Sequence, residues 1–211
     1  MPIYKTISLQ NQATAYIWKI DEPLAWLSKG MALTANSSNR LSRMKSELHR
    51  RGFMSVRHLL ARAGYTDFDL YYDANGKPHL RDAKHISITH SYTYSALIVG
   101  PEKVGIDIEL QRKKILKIAQ KFTPLHEYRT LANDAAVIRK LTMVWCAKEC
   151  LYKSFATPGV SFLEHIYVND FLMETCKTTA TVSFKGTTGK YDVSFLEFEN
   201  FTCAHSQIAS G

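Results

Sequence analysis

Residues 104–110 constrain the fold of this chain more than any other stretch of the sequence. They read Val-Gly-Ile-Asp-Ile-Glu-Leu, with an apolar residue at every even position. Alternate residues of a β-strand point to opposite faces, so this pattern predicts a strand whose even-numbered residues enter a core. The other face then carries Asp107 and Glu109 beside Gly105, which adds no side-chain bulk.

Asp107 and Glu109 are candidate ligands of a metal ion. Two carboxylates on one face of a strand repel each other unless a cation lies between them. Hard oxygen ligands suit Mg²⁺, which typically binds one or two carboxylates together with phosphates and water. The alternative is an ordinary solvated strand face, because an Asp-x-Glu pattern is weak by itself.

A second candidate cluster lies on a predicted helix. Trp145, Glu149 and Lys153 are four residues apart and therefore share one helix face. The residues predicted to form core on another face are Leu141, Val144, Leu151 and Phe155. The alternative is a surface Glu–Lys pair that contributes about 0.3–0.5 kcal/mol. The aromatic-rich surroundings favour a functional role.

A third element lies in the first half of the chain. Residues 85–91 read His-Ile-Ser-Ile-Thr-His-Ser, which predicts a strand with Ile86 and Ile88 inward and the polar residues outward. Residues 76–78, Gly-Lys-Pro, precede it as a turn. A histidine with neighbouring hydroxyls and a glycine-lysine turn can hold a phosphate. The alternative is a structural or solvated histidine.

Two basic stretches carry the positive excess of the whole chain. The chain has 27 Lys and Arg against 19 Asp and Glu, a net charge of +8 and a pI of about 9.3. Residues 40–62 have a net charge of +6 and residues 111–121 a net charge of +5. This pattern predicts anionic partners, and by itself leaves nucleic acid, a phosphorylated cofactor and an acidic protein open.

Composition narrows the class of protein. Hydrophobic residues make up 45% of the chain, enough for a buried core, which excludes a disordered protein. No window approaches the roughly 18 apolar residues of a membrane span, and the first residues lack the pattern of a signal peptide. We therefore expect a cytoplasmic protein with no membrane partner. The four cysteines form no C-x-x-C pair, so we expect reduced thiols and no zinc site.

The order of predicted elements indicates two α+β subdomains, residues 1–103 and 104–211, because helices and strands do not alternate regularly. The elements predicted in the first are a strand over 15–20, a helix over 41–63 that stops at Gly64, and strands over 85–89 and 94–99. Those predicted in the second are a strand over 104–110, a helix starting at Thr123-Pro124, a helix over 135–155, and strands over 181–184, 191–198 and 201–206.

Four segments, taken in order, resemble the motifs of the Sfp-type 4′-phosphopantetheinyl transferases. That family reads G-K-P, N-x-S-H-S, G-[IV]-D-[IV]-E and [FW]-[SC]-x-K-E-[AS]-x-x-K. The matching segments here are 76–78, 87–91, 105–109 and 145–153. The last two together are specific. The departures from the pattern are Ser87 for Asn, Thr89 for Ser, and Cys150 for Ala or Ser.

The resemblance implies a fold and an activity. The fold has two similar α+β halves in a pseudo-twofold arrangement, a monomer that imitates a dimer, with coenzyme A at the junction. The activity is Mg²⁺-dependent transfer of 4′-phosphopantetheine from coenzyme A, the co-substrate, to a serine hydroxyl of an apo acyl or peptidyl carrier protein. Adenosine 3′,5′-bisphosphate is released. Such holo-carrier-protein synthases serve fatty acid, polyketide or nonribosomal peptide biosynthesis.

The resemblance also implies roles for individual residues. Asp107, Glu109 and Glu149 would bind Mg²⁺, and Glu149 would be the general base, directly or through a metal-held water. Lys153 would contact the phosphate and assist the leaving group, completing a catalytic set with Asp107 and Glu149. The implied coenzyme A contacts are Arg51, Arg57, Lys77, Pro78, Thr89, His90, Asp107, Glu149 and Lys153. Arg57 would bind the 3′-phosphate.

In the family, the second basic stretch faces the carrier protein. Carrier proteins are usually acidic, so cations here would steer the encounter. The implied docking residues are Arg112, Lys113, Lys114 and Lys117. Ile115, Leu116 and Ile118 either add an apolar contact or pack inward. Glu127 matches a family acid and either supports the site or is a first-turn acid of a helix.

Two other functions are weighed against the transferase. A Mg²⁺-dependent nuclease would use a basic chain and paired carboxylates. Such sites commonly have a lysine two residues after the second acid, where this chain has Gln111, and no DNA-reading motif is present. A non-catalytic coenzyme A or carrier-binding module is less consistent with the presence of all three carboxylates and Lys153. We therefore expect an enzyme without a nucleic-acid partner.

Overall fold

The computed structural model describes residues 3–124 and 131–209. The chain divides into two compact units, with the boundary between Glu102 and Lys103. Each unit contains an antiparallel sheet and a long helix packed on it, which confirms the predicted α+β class. No helix in the described ranges combines the length and apolarity needed to cross a membrane.

The first unit is built on a four-stranded antiparallel sheet. Its elements are β1 (Ile3–Ser8), β2 (Thr14–Lys19), α1 (Leu24–Ser28), α2 (Ala35–Arg43), α3 (Glu47–Arg62), β3 (Leu70–Tyr72), β4 (Pro78–Leu80), β5 (His85–Ser91) and β6 (Tyr94–Gly100). The sheet order is β1-β2-β6-β5, and β3 pairs with β4 in a separate hairpin. The predicted strands β2, β5 and β6 are confirmed to within two residues at each end.

The single helix predicted over residues 41–63 is wrong, because the chain breaks between α2 and α3. Ser46 is extended at the start of α3, and its hydroxyl accepts a hydrogen bond from the His49 amide at 3.5 Å. Such a cap satisfies a backbone donor that has no partner inside the helix. The apolar spacing of Leu41, Met44 and Leu48 continues across the break, so periodicity alone does not reveal it. Beyond α3 the chain turns at Gly64 with φ of +88°.

The second unit is built on a five-stranded antiparallel sheet and one long helix. Its main elements are β7 (Val104–Leu110), α4 (Asp134–Phe155), β8 (Ile166–Val168), β9 (Lys177–Phe184), β10 (Thr187–Phe198) and β11 (Phe201–Ile208), with 3₁₀ turns at Lys113–Lys117, Ala119–Lys121 and Met173–Thr175. The sheet order is β7-β11-β10-β9-β8. The predicted strands and α4 are confirmed, but β9 and β10 each begin four residues before the predicted start, and β8 has no counterpart among the predicted strands. The helix predicted from Thr123-Pro124 falls mostly outside the described residues.

Strand β7 has the predicted bounds, but its acidic face is not solvated. Asp107 is only 4% exposed, and Ile106 on the opposite face is fully buried. A β-carbon at Gly105 would lie 1.9 Å from the Cys150 carbonyl oxygen, so this face lies directly against α4. The interpretation of Asp107 and Glu109 as an ordinary solvated strand face is therefore wrong for Asp107. Glycine is needed at position 105 because the helix backbone occupies the space of a side chain.

Replacing Gly105 with alanine is expected to push α4 away from β7. Overpacking commonly costs about 1–3 kcal/mol, and a clash with rigid backbone lies at the upper end or above it. Urea unfolding measures the free-energy change. Gly64→Ala is the control, since Gly64 has open space around it and a positive φ, so alanine there costs about 1–2 kcal/mol from conformation alone. Equal losses in the two variants would contradict the steric explanation.

Candidate functional site

Strand β7 and helix α4 bring the acidic cluster together within the second unit. Asp107 and Glu109 lie on the face of β7 that meets the helix, opposite Ala204 and Thr202 of β11. On α4, the residues Trp145, Glu149 and Lys153 recur every four positions and so share one face. Hydrogen bonds from Trp145 and Lys153 connect that face to β7. The site is therefore positioned by a strand and a helix, which are more rigid than loops.

Lys153 is the cationic member of the cluster. Its ammonium donates to Asp107 Oδ1 at 2.6 Å and to the Ile106 carbonyl oxygen at 3.2 Å. The Lys153 side chain is 27% exposed and that of Asp107 is 6% exposed, so the ion pair lies at the edge of a buried region. A charge-assisted contact in such surroundings is stronger than a surface pair. The geometry fixes the ammonium beside the acids and leaves part of it accessible.

Trp145 makes the second contact between α4 and the acids. Its indole Nε1 donates to Glu109 Oε1 at 3.2 Å. The ring packs against Phe122 and Phe162, with centroid distances of 5.0 and 5.3 Å. The surface Glu–Lys pair considered for this helix therefore does not describe its environment, because both ends of the Trp145–Lys153 face contact β7.

The carboxylates of the cluster perturb one another. Burial, and then the charge of Asp107, raise the pKa of Glu149 to about 7, against the opposing effect of Lys153. The same two causes raise the pKa of Glu109. Burial alone lowers the pKa of Lys153, but the neighbouring Asp107 and Glu149 outweigh it and the pKa is raised. The site holds more acid than base and favours an added positive charge.

Lys148 is a residue of this segment to which the sequence analysis gave no role. It is 5% exposed, and its ammonium donates to the carbonyl oxygens of Phe162 and Ile166 at 2.6 Å each. A buried ammonium is tolerated because it is hydrogen-bonded. Lys148 therefore ties the backbone before β8 to α4, next to Glu149. Lys148 falls at helical spacing among the buried apolar residues of α4, which is a sequence signal for burial. The sequence does not reveal its partners, because Phe162 and Ile166 lie 14 and 18 residues further along the chain.

The second basic stretch lies on the surface of the same unit. Its exposed cations are Arg112, Lys113, Lys114, Lys117 and Lys121. Ile115 is buried in a cluster with Ala119, Phe122 and the α4 residues Leu141 and Val144. Ile118 is partly buried, whereas Leu116 is 39% exposed. Ile115 thus packs inward, as one of the two interpretations expected, and Leu116 is the apolar side chain that faces outward. Glu127 lies outside the described residues.

Arg57 of the first unit has a different environment from the one predicted. It is 3% exposed, and its guanidinium donates to Asp67 Oδ1 at 2.9 Å, to Ser37 Oγ at 3.1 Å and to the Phe53 carbonyl oxygen at 3.1 Å. It also lies 3.4 Å from the centre of the Phe53 ring. The predicted role as a 3′-phosphate contact does not fit this arrangement, since the group is enclosed and occupied. The structure favours a structural ion pair.

The Gly-Lys-Pro segment forms the loop of the β3–β4 hairpin. Asp73 Oδ1 accepts hydrogen bonds from the Asn75 and Lys77 amides, and Gly76 has φ of +80°. Pro78 begins β4. The turn chemistry is that of an aspartate-led loop in which glycine supplies the left-handed residue. Lys77 is partly buried at the end of this loop.

Three other predicted contacts of the first unit differ in accessibility. Thr89 is 7% exposed, whereas His90 at the next position is exposed. A β-carbon at position 52 of α3 would lie 3.3 Å from His90 Cγ, so Gly52 gives the imidazole room. Arg51 is partly buried and donates to the Ile20 carbonyl oxygen at 2.6 Å. His90 is the best placed of the three to meet an anion.

A comparison with protein-family models identifies the second unit. The model of the 4′-phosphopantetheinyl transferase superfamily matches residues 103–208. The chain belongs to the 4′-phosphopantetheinyl transferase superfamily. The matched range contains β7 and α4 with all members of the acidic cluster. A search of curated proteins finds no match.

A superfamily of this kind implies a divalent cation, and the chemistry of the cluster fits one. In the ranges 3–124 and 131–209, no group of three or more His, Cys, Asp or Glu side chains is already arranged around a metal position. The donors are nevertheless carboxylate oxygens, which suit Mg²⁺. The negative charge of Asp107 contributes, after burial, to the raised pKa of Glu109 and of Glu149, so added positive charge is compatible with the cluster. Asp107, Glu109 and Glu149 are thus the residues that would hold it.

Arg57→Met is expected to destabilise the transferase by about 3–5 kcal/mol, because it leaves the Asp67 carboxylate buried without its ion-pair partner. Urea unfolding provides the measurement. Arg62→Met, at the exposed end of the same helix, is the control and should change the free energy of unfolding by less than about 0.5 kcal/mol. Normal stability of Arg57→Met, together with a raised KM for coenzyme A, would restore the phosphate-binding role.

Proposed function

We propose that this superfamily member is an Sfp-type transferase that moves 4′-phosphopantetheine from coenzyme A to a serine hydroxyl of an apo acyl or peptidyl carrier protein. The observation that carries the proposal is the cluster in which Lys153 pairs with Asp107 beside Glu109 and Glu149. It lies wholly within the segment that matches the superfamily. That match favours group transfer over the nuclease alternative.

The residues of the cluster have complementary tasks in such a reaction. The serine oxygen forms a bond to the phosphorus that carries pantetheine, and the bond from that phosphorus to adenosine 3′,5′-bisphosphate breaks. Glu149 accepts the serine proton as general base, directly or through a metal-held water. Lys153 neutralises charge that develops on the phosphate and the departing group. Mg²⁺ bound to the three acids would supply further neutralisation of the pyrophosphate.

Coenzyme A contacts in the first unit remain part of the proposal. His90 is exposed beside Gly52, and Lys77 follows a glycine in a tight loop, so both suit contacts to phosphates. Pro78, Thr89 and Arg51 are proposed as supporting contacts. Arg57 is not part of the proposed set, because its guanidinium is enclosed by protein groups.

We propose the surface of Arg112, Lys113, Lys114 and Lys117 as the carrier-docking surface. All four side chains are exposed, and Leu116 among them adds an outward apolar side chain. Cations arranged in this way accelerate association with an acidic partner and make it sensitive to salt. We also propose that the enzyme is monomeric and cytoplasmic.

The test of the function combines the protein with coenzyme A, Mg²⁺ and a panel of apo carrier proteins. Mass spectrometry should show a carrier that gains the mass of phosphopantetheine, together with release of adenosine 3′,5′-bisphosphate. Chelation of Mg²⁺ by EDTA should stop the reaction, and added Mg²⁺ should restore it. Carriers from several pathways that all remain unmodified would count decisively against the proposal.

Glu149→Gln and Asp107→Asn should each lower transfer by at least about 100-fold, the lower end of a general-base or charge-stabilising contribution. Glu149→Gln keeps the size of the side chain, so its urea midpoint should stay close to that of the native protein. Asp107→Asn also removes the charge that pairs with Lys153, so its turnover is measured under conditions where circular dichroism shows the variant to be folded. Glu164→Gln, an exposed acid in the same unit, is the matched control and should transfer normally. Near-native turnover in either site variant would show that the assigned roles are wrong.

A further inference from the structure

The indole ring of Trp145 packs against Phe122 and Phe162, and each of these phenylalanines is held by further contacts within the second unit. One support is Phe122, which is fully buried in a cluster with Ile115 and Ala119. The other is Phe162, whose carbonyl oxygen accepts a hydrogen bond from the buried Lys148 ammonium at 2.6 Å. Because these contacts do not involve Glu109, the packing of the ring sets the direction of its N–H group.

Glu109 needs a donor of this kind. It lies two residues from Asp107 on the same face of β7, and the two carboxylates repel each other. The Trp145 N–H group holds Glu109 Oε1 at 3.2 Å, just as Lys153 holds Asp107 Oδ1 at 2.6 Å. A hydrogen bond to a charged acceptor is typically about twice as strong as one between neutral groups. Trp145 therefore favours one orientation of the Glu109 carboxylate.

We propose that Trp145 is a positioning residue, which holds the Glu109 carboxylate at the face of β7 that meets α4, where it can join Asp107 in binding a divalent cation. The role rests on the proposed function, in which Glu109 is a metal ligand. Groups that orient metal ligands through a hydrogen bond typically change metal affinity or activity by about 10–100-fold when they are removed. Phenylalanine retains an aromatic ring but lacks the N–H donor, so it separates positioning from packing.

The first experiment titrates the Trp145→Phe protein with Mg²⁺ by calorimetry. Binding should be about 10–100-fold weaker than in the native protein. In the transfer assay, saturating Mg²⁺ should restore turnover while the KM for the carrier stays unchanged, a rescue that a merely structural defect would not show. The matched control is Trp18→Phe, because Trp18 Nε1 also donates to a carboxylate, Glu22 Oε2, at 3.2 Å in the first unit. Its Mg²⁺ affinity should equal that of the native protein.

The second experiment does not depend on activity or on the folding of Trp145→Phe. Heteronuclear NMR resolves the indole N–H groups of the three tryptophans, and assignment identifies that of Trp145. Glu109→Ala should shift this signal and accelerate its exchange with water, and Mg²⁺ should shift it in the native protein. The positioning role would be overturned if neither Glu109→Ala nor Mg²⁺ shifted the Trp145 indole signal. An unchanged Mg²⁺ affinity in Trp145→Phe would also overturn it.

The two proposals fail in distinguishable ways. A native protein that binds Mg²⁺ but modifies no carrier would refute the transferase activity, while the Mg²⁺ affinities and the Trp145 signal would still decide the positioning role. A native protein that transfers phosphopantetheine normally, together with a Trp145→Phe variant of native Mg²⁺ affinity, would refute the positioning role alone. A native protein that binds no Mg²⁺ at millimolar concentration would refute the positioning role and the Mg²⁺ dependence together.

Discussion

The close approach of helix α4 to strand β7 is the constraint on which the second unit depends. At Gly105 the strand has no side chain, and the Cys150 carbonyl oxygen occupies that space. The proximity lets two residues about two turns apart on the helix contact consecutive same-face positions of the strand. Lys153 thereby meets Asp107, and Trp145 meets Glu109. Glycine before the two acids is therefore a packing requirement that also makes the cluster.

The same helix binds its surroundings through buried lysines, which is unusual because a buried ammonium needs compensation. Lys148 is compensated by two backbone carbonyl oxygens, and Lys140 by the Asp170 carboxylate and the Phe171 carbonyl oxygen. Together they fix the segment around β8 to α4. Lys153, by contrast, is paired with a carboxylate and stays partly exposed. Three lysines on one helix thus differ in function because their partners differ.

Much of this arrangement follows from sequence periodicity. The alternation in β7 and the four-residue spacing in α4 predict both elements and the shared face of Trp145, Glu149 and Lys153. Periodicity does not show what packs against a strand face, so the sequence alone is also compatible with Asp107 and Glu109 facing solvent. It also misses the break before α3, which depends on the capping hydroxyl of Ser46. Whether Arg57 is free to bind a ligand or is held in a buried ion pair depends on Asp67, and no local sequence pattern reveals that contact.

The two basic stretches show why net charge is a coarse guide to function. In the first, Arg57 is consumed by a buried ion pair and contributes little to the field that an approaching anion meets. In the second, the cations are exposed, and Ile115 anchors their backbone to the same hydrophobic cluster that contacts Trp145. The proposed docking surface and the acidic cluster are therefore both in contact with α4. A carrier held by these cations would be bound to a segment that packs against α4, the helix of Glu149 and Lys153.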